Sequence, residues 1–442
     1  MDRDSVEPRV EELPGERARD QVAYHHETAA PSTYVYEFVW DHTAPATGPF
    51  CTDVDGNVLM DFTAHVGAAP LGYDNPLLRE RLDEFDLTDP TKIAGQDFYA
   101  ASGPPGDAPI PGPADLMERL VDVSDHYGLD TVFLSNSGAE AVENAIKISY
   151  DHTAGKYAIT FEGAFHGRTL GALSLNRSKE VYRRRFPEIA TVHDVPFCTD
   201  RSCDPDSCGC GFFVEDGSRL RRLLGPGGFV NPEEVAYVIV EPVQGEGGYR
   251  FPSDAFAAEL AAVVDEHDLL LVVDEIQSGM GRTGEFWAAD HYPFDPDVIA
   301  AAKGLRVGAT IASEDVFPAE ESRLSSTWGG GDLLSCAQGA ITIDVIHEQN
   351  LMDNARERGR QFRETFAGGP SVTDVRGKGL MLAVEFDTKT RRDDVMDAAF
   401  ARGLLTLGCG RKTLRILPPL DVTEREIDLG ATLLAEAVDA AS

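Results

Sequence analysis

Lysine is scarce in this chain: eight in 442 residues. With arginine the cations number 39 against 75 Asp and Glu, for a formal net charge of −36. That balance argues against nucleic acid or an anionic membrane as a partner. No run of 18 or more apolar residues occurs, so no segment reads as a membrane-spanning helix. The opening stretch MDRDSVEPRVEELPGERARD lacks the basic start and apolar core of a secretory signal, which makes a cytoplasmic protein the expectation. A folded surface so acidic repels itself at ordinary ionic strength. At about 1 M salt the Debye length falls to roughly 3 Å and the repulsion is screened. The acidity therefore reads as adaptation to a salt-rich cytoplasm, with an acidic enzyme at ordinary salt as the alternative.

What is present suffices for a large core, since 42% of residues are hydrophobic. The length allows two domains or one large α/β unit with an appended lobe. Residues 1–30 are polar and expected to form a poorly ordered acidic tail. TDVDGNVLMDF (52–62) reads as two strands around a turn at Asp55-Gly56-Asn57. SGPPGDAPIPGP (102–113) reads as an irregular loop. From about 115, short apolar runs alternate with helical stretches: TVFL (131–134), YAITF (157–161), AYVIVE (236–241), LLLVVDE (269–275) and DVIAAA (297–302). Runs bounded in this way predict a mostly parallel sheet covered on both faces. From about 345, helices alternate with strands GLMLAVEF (379–386) and LRIL (414–417), as in a smaller α+β lobe. The expected division is 31–75 and 341–442 in a small domain and 76–340 in a large one, with 198–210 as a Cys-rich insertion.

Four sites in that large domain match what pyridoxal phosphate needs from a protein. Lys303 follows the buried run of PDVIAAAKGL, where a lysine is costly unless paired or neutralised, and a neutral amine can condense with an aldehyde. A lysine snorkelling to water from a strand end is the bland alternative. Asp274 ends the run LLLVVDE, where open α/β sheets bind ligands; an ionised carboxylate there keeps a pyridine nitrogen protonated. Asp274 is equally able to begin a turn or cap a helix. Gln277, a little further on, is placed to reach the cofactor's ring oxygen. SNSGAEAVENAIK (135–147) follows a strand and opens a helix, so the amides of Gly138 and Ala139 suit a phosphate. Ser137 is its N-cap and Glu140 the other half of a capping box. In GAFHGRT (163–169), Phe165 can stack on a ring with His166 beside it, although a Phe after a strand is more often core.

SNSGAEAVENAIK, FEGAFHGRT, VIVEPVQGEGG, LLVVDEIQSGMGRTG, AAKG and STWGG occur in the order and spacing of the class III, or ω-, aminotransferases, which the chain resembles over nearly all of residues 50–440. The resemblance extends through RGKGLMLAVEF and LRILPPL. It implies a fold type I pyridoxal-phosphate enzyme, with Lys303 in Schiff-base linkage and Asp274 on the pyridinium. Phe165 stacks with His166 alongside, Ser137, Gly138 and Ala139 hold the phosphate, and Glu241 and Gln277 complete the cofactor contacts. Thr327 reaches the phosphate of a neighbouring subunit, which implies a homodimer with shared sites. The motifs are similar to the 4-aminobutyrate branch, and by that likeness Arg168 and Arg415 grip substrate carboxylates while Glu246 pairs with Arg415 when no α-carboxylate is present. The expected reaction moves an amino group from 4-aminobutyrate to 2-oxoglutarate in a ping-pong sequence. Departures follow the lysine: the loop AAKGLRVGATIAS is short, and Gly331-Asp332 replaces the usual Asn-Pro. Ornithine, acetylornithine or lysine fit the same core, as do a mutase, a decarboxylase, or a binding protein that has lost catalysis.

One motif falls outside this scheme. PFCTDRSCDPDSCGC holds Cys198, Cys203, Cys208 and Cys210. Four thiols in a turn-rich loop fit zinc or, by likeness to some 4-aminobutyrate enzymes, an iron–sulfur cluster. Reduced thiols and a disulfide are the alternatives.

Overall fold

Short apolar runs, separated by helices, become strands buried on both faces. In the computed structural model of the chain, two units form: Met1–Arg79 with Asp353–Ser442, and Glu80–Met352. All residues are described except 33–37, 86–94, 97–110, 190, 199–200, 216, 329, 367 and 442. The loop expected at 102–113 thus lies largely outside the described residues.

Following the chain, the first unit opens with the hairpin β1 (Phe50–Thr52) and β2 (Val58–Asp61), in register Phe50 to Met60, with Gly56 at φ 87° in the turn. The second unit holds β3 (Thr131–Ser135), β4 (Tyr157–Phe161), β5 (Thr191–Val195), the short hairpin β6 (Phe213–Val214) and β7 (Gly217–Ser218), then β8 (Val235–Val240), β9 (Leu271–Asp274), β10 (Val298–Ala301) and β11 (Gly308–Ala312). The chain returns to the first unit with β12 (Val372–Lys378), β13 (Met381–Phe386), β14 (Leu404–Leu405), β15 (Leu407–Cys409) and β16 (Thr413–Ile416).

The large sheet of the second unit has the order β3-β11-β10-β9-β8-β4-β5. β11 alone runs against its neighbours, and the rest are parallel. The helix Gly138–Thr153 lays Ala141, Val142, Ala145 and Ile148 against Ile239, Val272 and Ala300. Every residue of β8, β9 and β10 is buried, as a sheet covered on both sides requires. β5 and β11 do not stand out as apolar runs in the sequence: TVHDV is polar and half-exposed at the sheet edge, and GATIA is short and small.

In the first unit β14 joins β2 in parallel, and a second sheet has the order β12-β13-β16-β15. The closing helix Glu424–Ala440 starts on a capping box between Thr423 and Glu426. The expected disordered tail is corrected here. Arg3 Nε binds Glu426 Oε1 at 2.8 Å and Nη1 binds Asp421 Oδ2 at 2.7 Å, while Glu16–Thr28 is a helix. Asp55, in the β1–β2 turn, accepts from the amides of Arg17 and Ala18 at that helix's start, both at 2.9 Å. Long-range charge pairs and a borrowed cap order a segment that is too polar to pack by itself.

Candidate active site

The chemistry-bearing residues gather at one end of the large sheet. Ser135 ends β3, Phe165 and His166 follow β4, Glu241 follows β8, Asp274 ends β9 and Lys303 lies just past β10. Because these strands are parallel, their carboxyl ends face the same way, the side where open α/β sheets bind ligands. Asp274 is in register with Ala300 of β10, and the Glu275 amide donates to Ala300 O at 2.8 Å. Lys303 stands one turn beyond Ala300, half-buried at the head of the 3-10 turn Lys303–Leu305.

Asp274 is 5% exposed, and both its oxygens are held. Oδ1 accepts from the Ile276 amide at 3.0 Å and Oδ2 from His166 Nδ1 at 2.8 Å. His166 must then donate from Nδ1, so its neutral tautomer offers Nε2 as an acceptor. Nε2 is buried and has no hydrogen-bond partner among the described residues. The His166 backbone is fixed in turn, its amide donating to Asn176 Oδ1 at 2.6 Å, while Asn176 Nδ2 donates to Gly167 O at 2.8 Å. Glu241 joins the same cluster: Oε1 accepts from the Phe165 amide at 2.9 Å and Oε2 from the Gly245 amide at 2.8 Å. Burial pushes Glu241 up to about 7; a protonated His166 would lower it, and the charge of Asp274 raises it. Gln277 is half-buried beside it; a Cβ on Gly245 would sit 2.7 Å from Gln277 Oε1 and 3.6 Å from Glu241 Oε2.

The helix Gly138–Thr153 supplies the anion site. Ser137 is its N-cap, accepting from the Glu140 amide at 3.3 Å. The expected capping box is only half made: Glu140 Oε2 takes the Asn136 amide at 2.7 Å and Asn136 Nδ2 at 3.1 Å, two donors from one residue instead of the Ser137 amide. Helix geometry leaves the Gly138 and Ala139 amides without intrahelical acceptors. A Cβ on Gly138 would meet the Ile276 side chain at 2.8 Å, and one on Gly308 would meet Ser135 Oγ and Ser137 O at 2.3 Å, so neighbouring atoms close on this turn from both sides. Cradle, carboxylate and lysine fit pyridoxal phosphate. Thr327 is exposed, and its Oγ1 accepts from Asn136 Nδ2 of the same chain at 2.9 Å, beside the cradle.

Beyond Phe165 lies a second group. Phe165 meets Tyr182 edge-on, with ring centres 5.4 Å apart. The exposed Arg168 guanidinium stands 4.6 Å from the Tyr182 ring and 5.6 Å from that of Phe165, within reach of the electron-rich ring faces. Glu246 Oε2 accepts from Lys179 Nζ at 2.9 Å and from Tyr182 OH at 3.1 Å, so in this unit its cation is Lys179. Arg415 belongs to the first unit, buried on β16, with Nη2 donating to Gly408 O at 3.2 Å. Asn176, Lys179 and Tyr182 escape a reading of the sequence because no motif marks them.

Glu275, next to Asp274, is 1% exposed and accepts from Ser278 Oγ at 2.5 Å and the Ala289 amide at 2.7 Å. Burial still pushes it up to about 7. A carboxyl raised in the fold holds its proton longer there than in the unfolded chain, so stability is lost as pH rises toward that value. Between pH 6 and 8 this one group should cost about 1 kcal/mol. Glu275→Gln should flatten the slope by that amount, measured by urea unfolding at the two pH values in one salt concentration. An unchanged slope would place the dependence elsewhere.

The fold and the site define a pyridoxal-phosphate-dependent enzyme of fold type I. The family model described as aminotransferase class-III matches residues 39–438. The acetylornithine aminotransferase of Methanopyrus kandleri is 33% identical over 401 residues, 90% of this chain and 94% of that protein. Lysine aminotransferase from M. tuberculosis in the internal aldimine form superposes with a TM-score of 0.82 at 29% identity, covering 96% of this chain and 99% of that one. Ornithine aminotransferase from Toxoplasma gondii ME49 gives 0.78 at 25% identity, covering 96% and 95%. The chain belongs to the class-III aminotransferase family. These relatives are named for acetylornithine, lysine and ornithine, the alternative donors, and not for the expected 4-aminobutyrate.

Proposed function

We propose that the protein moves the terminal amino group of a basic amino acid, lysine, ornithine or N-acetylornithine, to 2-oxoglutarate. The observation that carries the reading is that Asp274 and Lys303 follow the carboxyl ends of adjacent parallel strands, at the same end of the sheet from which the helix Gly138–Thr153 starts. The relatives' donors, all with an amine at the chain end, support the substrate class.

Pyridoxal phosphate, when bound, supplies an electron sink that acidifies the carbon bearing the transferred amine. The protein's residues do the rest. Gly138, Ala139 and Ser137 hold the phosphate, with Thr327 reaching the site of a second subunit. Asp274, oriented by His166, keeps the ring nitrogen charged. Phe165 would stack on the cofactor ring, and Gln277 and Glu241 would complete the contacts that hold it. Lys303 Nζ carries the proton to and from the substrate carbon. In the second unit Arg168 is the candidate grip for a substrate carboxylate, by planar bidentate contact. The catalytic unit is a homodimer of a cytoplasmic enzyme built for high salt, consistent with the charge of −36; the described residues include no helix long and apolar enough to cross a membrane.

A donor panel with 2-oxoglutarate in molar salt, reading glutamate, tests this. The best of lysine, ornithine and acetylornithine should exceed 4-aminobutyrate by at least tenfold in kcat/KM. Glutamate formed fastest from 4-aminobutyrate would restore that donor. No glutamate from any of them, with isomerised or decarboxylated product instead, would remove the transaminase reading.

A further inference from the structure

The segment between β5 and β6 has an unusual inside. Of residues 201–210, seven are exposed, and the three turned inward are Cys203, Cys208 and Cys210. Cys198, just upstream, is fully buried. A loop this polar has almost no apolar side chain of its own to hold it. Its foundation is a cluster of rings, with Phe197 4.9 Å and Phe212 4.5 Å from Phe256. In the same loop Asp204 caps an exposed turn, accepting from the amides of Asp206 and Ser207, both at 2.9 Å.

The sulfurs converge. Those of Cys198, Cys203 and Cys210 lie within 4.8 Å of one another, Cys203 and Cys210 being 3.9 Å apart. Cys208 Sγ is 3.2 Å from Cys210 Sγ. None of the four is in a disulfide. In a tetrahedral zinc site with Zn–S bonds of about 2.3 Å, neighbouring sulfurs are roughly 3.8 Å apart. The 3.2 and 3.9 Å separations straddle that edge, while Cys208 stands outside the set of three sulfurs within 4.8 Å of one another and closes in to complete a four-sulfur site. Donors that would ease the negative charge of a tetrathiolate are also in place: the Phe213 amide reaches Cys208 Sγ at 3.4 Å, and Ser253 Oγ reaches Cys198 Sγ at 3.5 Å. Ser253 caps the helix Asp254–His267, so the cluster is tied to a core element as well as to its own loop.

We propose that Cys198, Cys203, Cys208 and Cys210 bind one structural zinc ion that fixes residues 201–213 to the rest of the second unit. Four thiolates fill every position of a tetrahedral ion, leaving none open for water or substrate, so the ion has no part in transamination. Binding exchanges up to four thiol protons for Zn²⁺ with no change of oxidation state.

The test uses full-length holoenzyme prepared without affinity-tag metals. Elemental analysis should find about one zinc per chain. Titration with a mercurial thiol reagent should release that zinc in step with modification of the four thiols. Cobalt substitution should give thiolate-to-metal charge-transfer bands and the d–d bands of a tetrahedral site, read apart from the cofactor by difference against the zinc form. Cys203→Ser and Cys210→Ser should each lose at least nine-tenths of the zinc, and Cys336→Ser, a buried thiol on another helix, should keep it. If the cluster variants do not accumulate, zinc content and the cobalt spectrum of the unaltered protein decide alone. Iron with acid-labile sulfide would replace the zinc ion by a cluster and overturn the proposal. Less than about 0.2 metal per chain, with four titratable native thiols or a native disulfide among them, would overturn it too.

Discussion

Replacing Lys303 by Ala should lower turnover by on the order of 10⁴-fold or more, the largest effect of any single substitution in this chain. β10 buries Val298 through Ala301 completely, and the backbone then turns at Ala302 into the 3-10 turn that carries Lys303. A lysine on an ordinary surface would contribute to solubility and little else, and its loss would be silent. Here the same nitrogen is assigned two tasks, the covalent hold on the cofactor and the proton carried at the substrate carbon. One substitution removes both, so no residual pathway of comparable rate remains. Borohydride reduction followed by peptide mapping gives a readout independent of rate. The unaltered protein should carry reduced cofactor on the peptide containing Lys303, whereas Lys303→Ala should hold cofactor that dialysis removes. A label on any other lysine, or turnover within tenfold of the unaltered protein, would move the assignment.

Legibility in the sequence followed the range of the forces involved. Strands buried on both faces are visible as unbroken apolar runs, which is why β4, β8, β9 and β10 stand out in the amino-acid string. β5 escapes because an edge strand needs only one buried face and Thr191–Val195 satisfies that with Val195. The order of the N-terminal segment through Thr28 escapes for a different reason. It depends on Arg3 meeting Asp421 and Glu426 from the opposite end of the chain, and no local pattern encodes such a pair. The site divides in the same way. Lys303, Asp274 and the Gly138 turn are each marked by the local signature of a strand end or a helix start. Asn176, which fixes the His166 backbone, and Lys179, which engages Glu246, sit in a stretch with no signature, and only the folded chain brings them in.

Asp274→Ala should cost roughly 10²- to 10⁴-fold in kcat, the second largest loss. Breaking a buried charge pair by removing one partner costs about 3–5 kcal/mol, and that range converts to the stated factor. Two losses are folded together in the variant. The ring nitrogen is no longer kept charged, and His166 Nδ1 is left without its acceptor in a site where Nε2 is already buried. They are separable. A cofactor analogue methylated on the ring nitrogen is permanently cationic and needs no carboxylate to remain so. If the electronic loss dominates, that analogue should recover at least tenfold of the activity of Asp274→Ala while leaving the unaltered protein no faster. His166→Gln keeps the carboxylate and disturbs only its orientation, so its loss should be smaller than that of Asp274→Ala and should fall in kcat with cofactor affinity nearly kept. Equal damage in the two variants with no gain from the methylated analogue would make Asp274 a positioning residue for the turn at Ile276, and the electron-sink role would pass to another group.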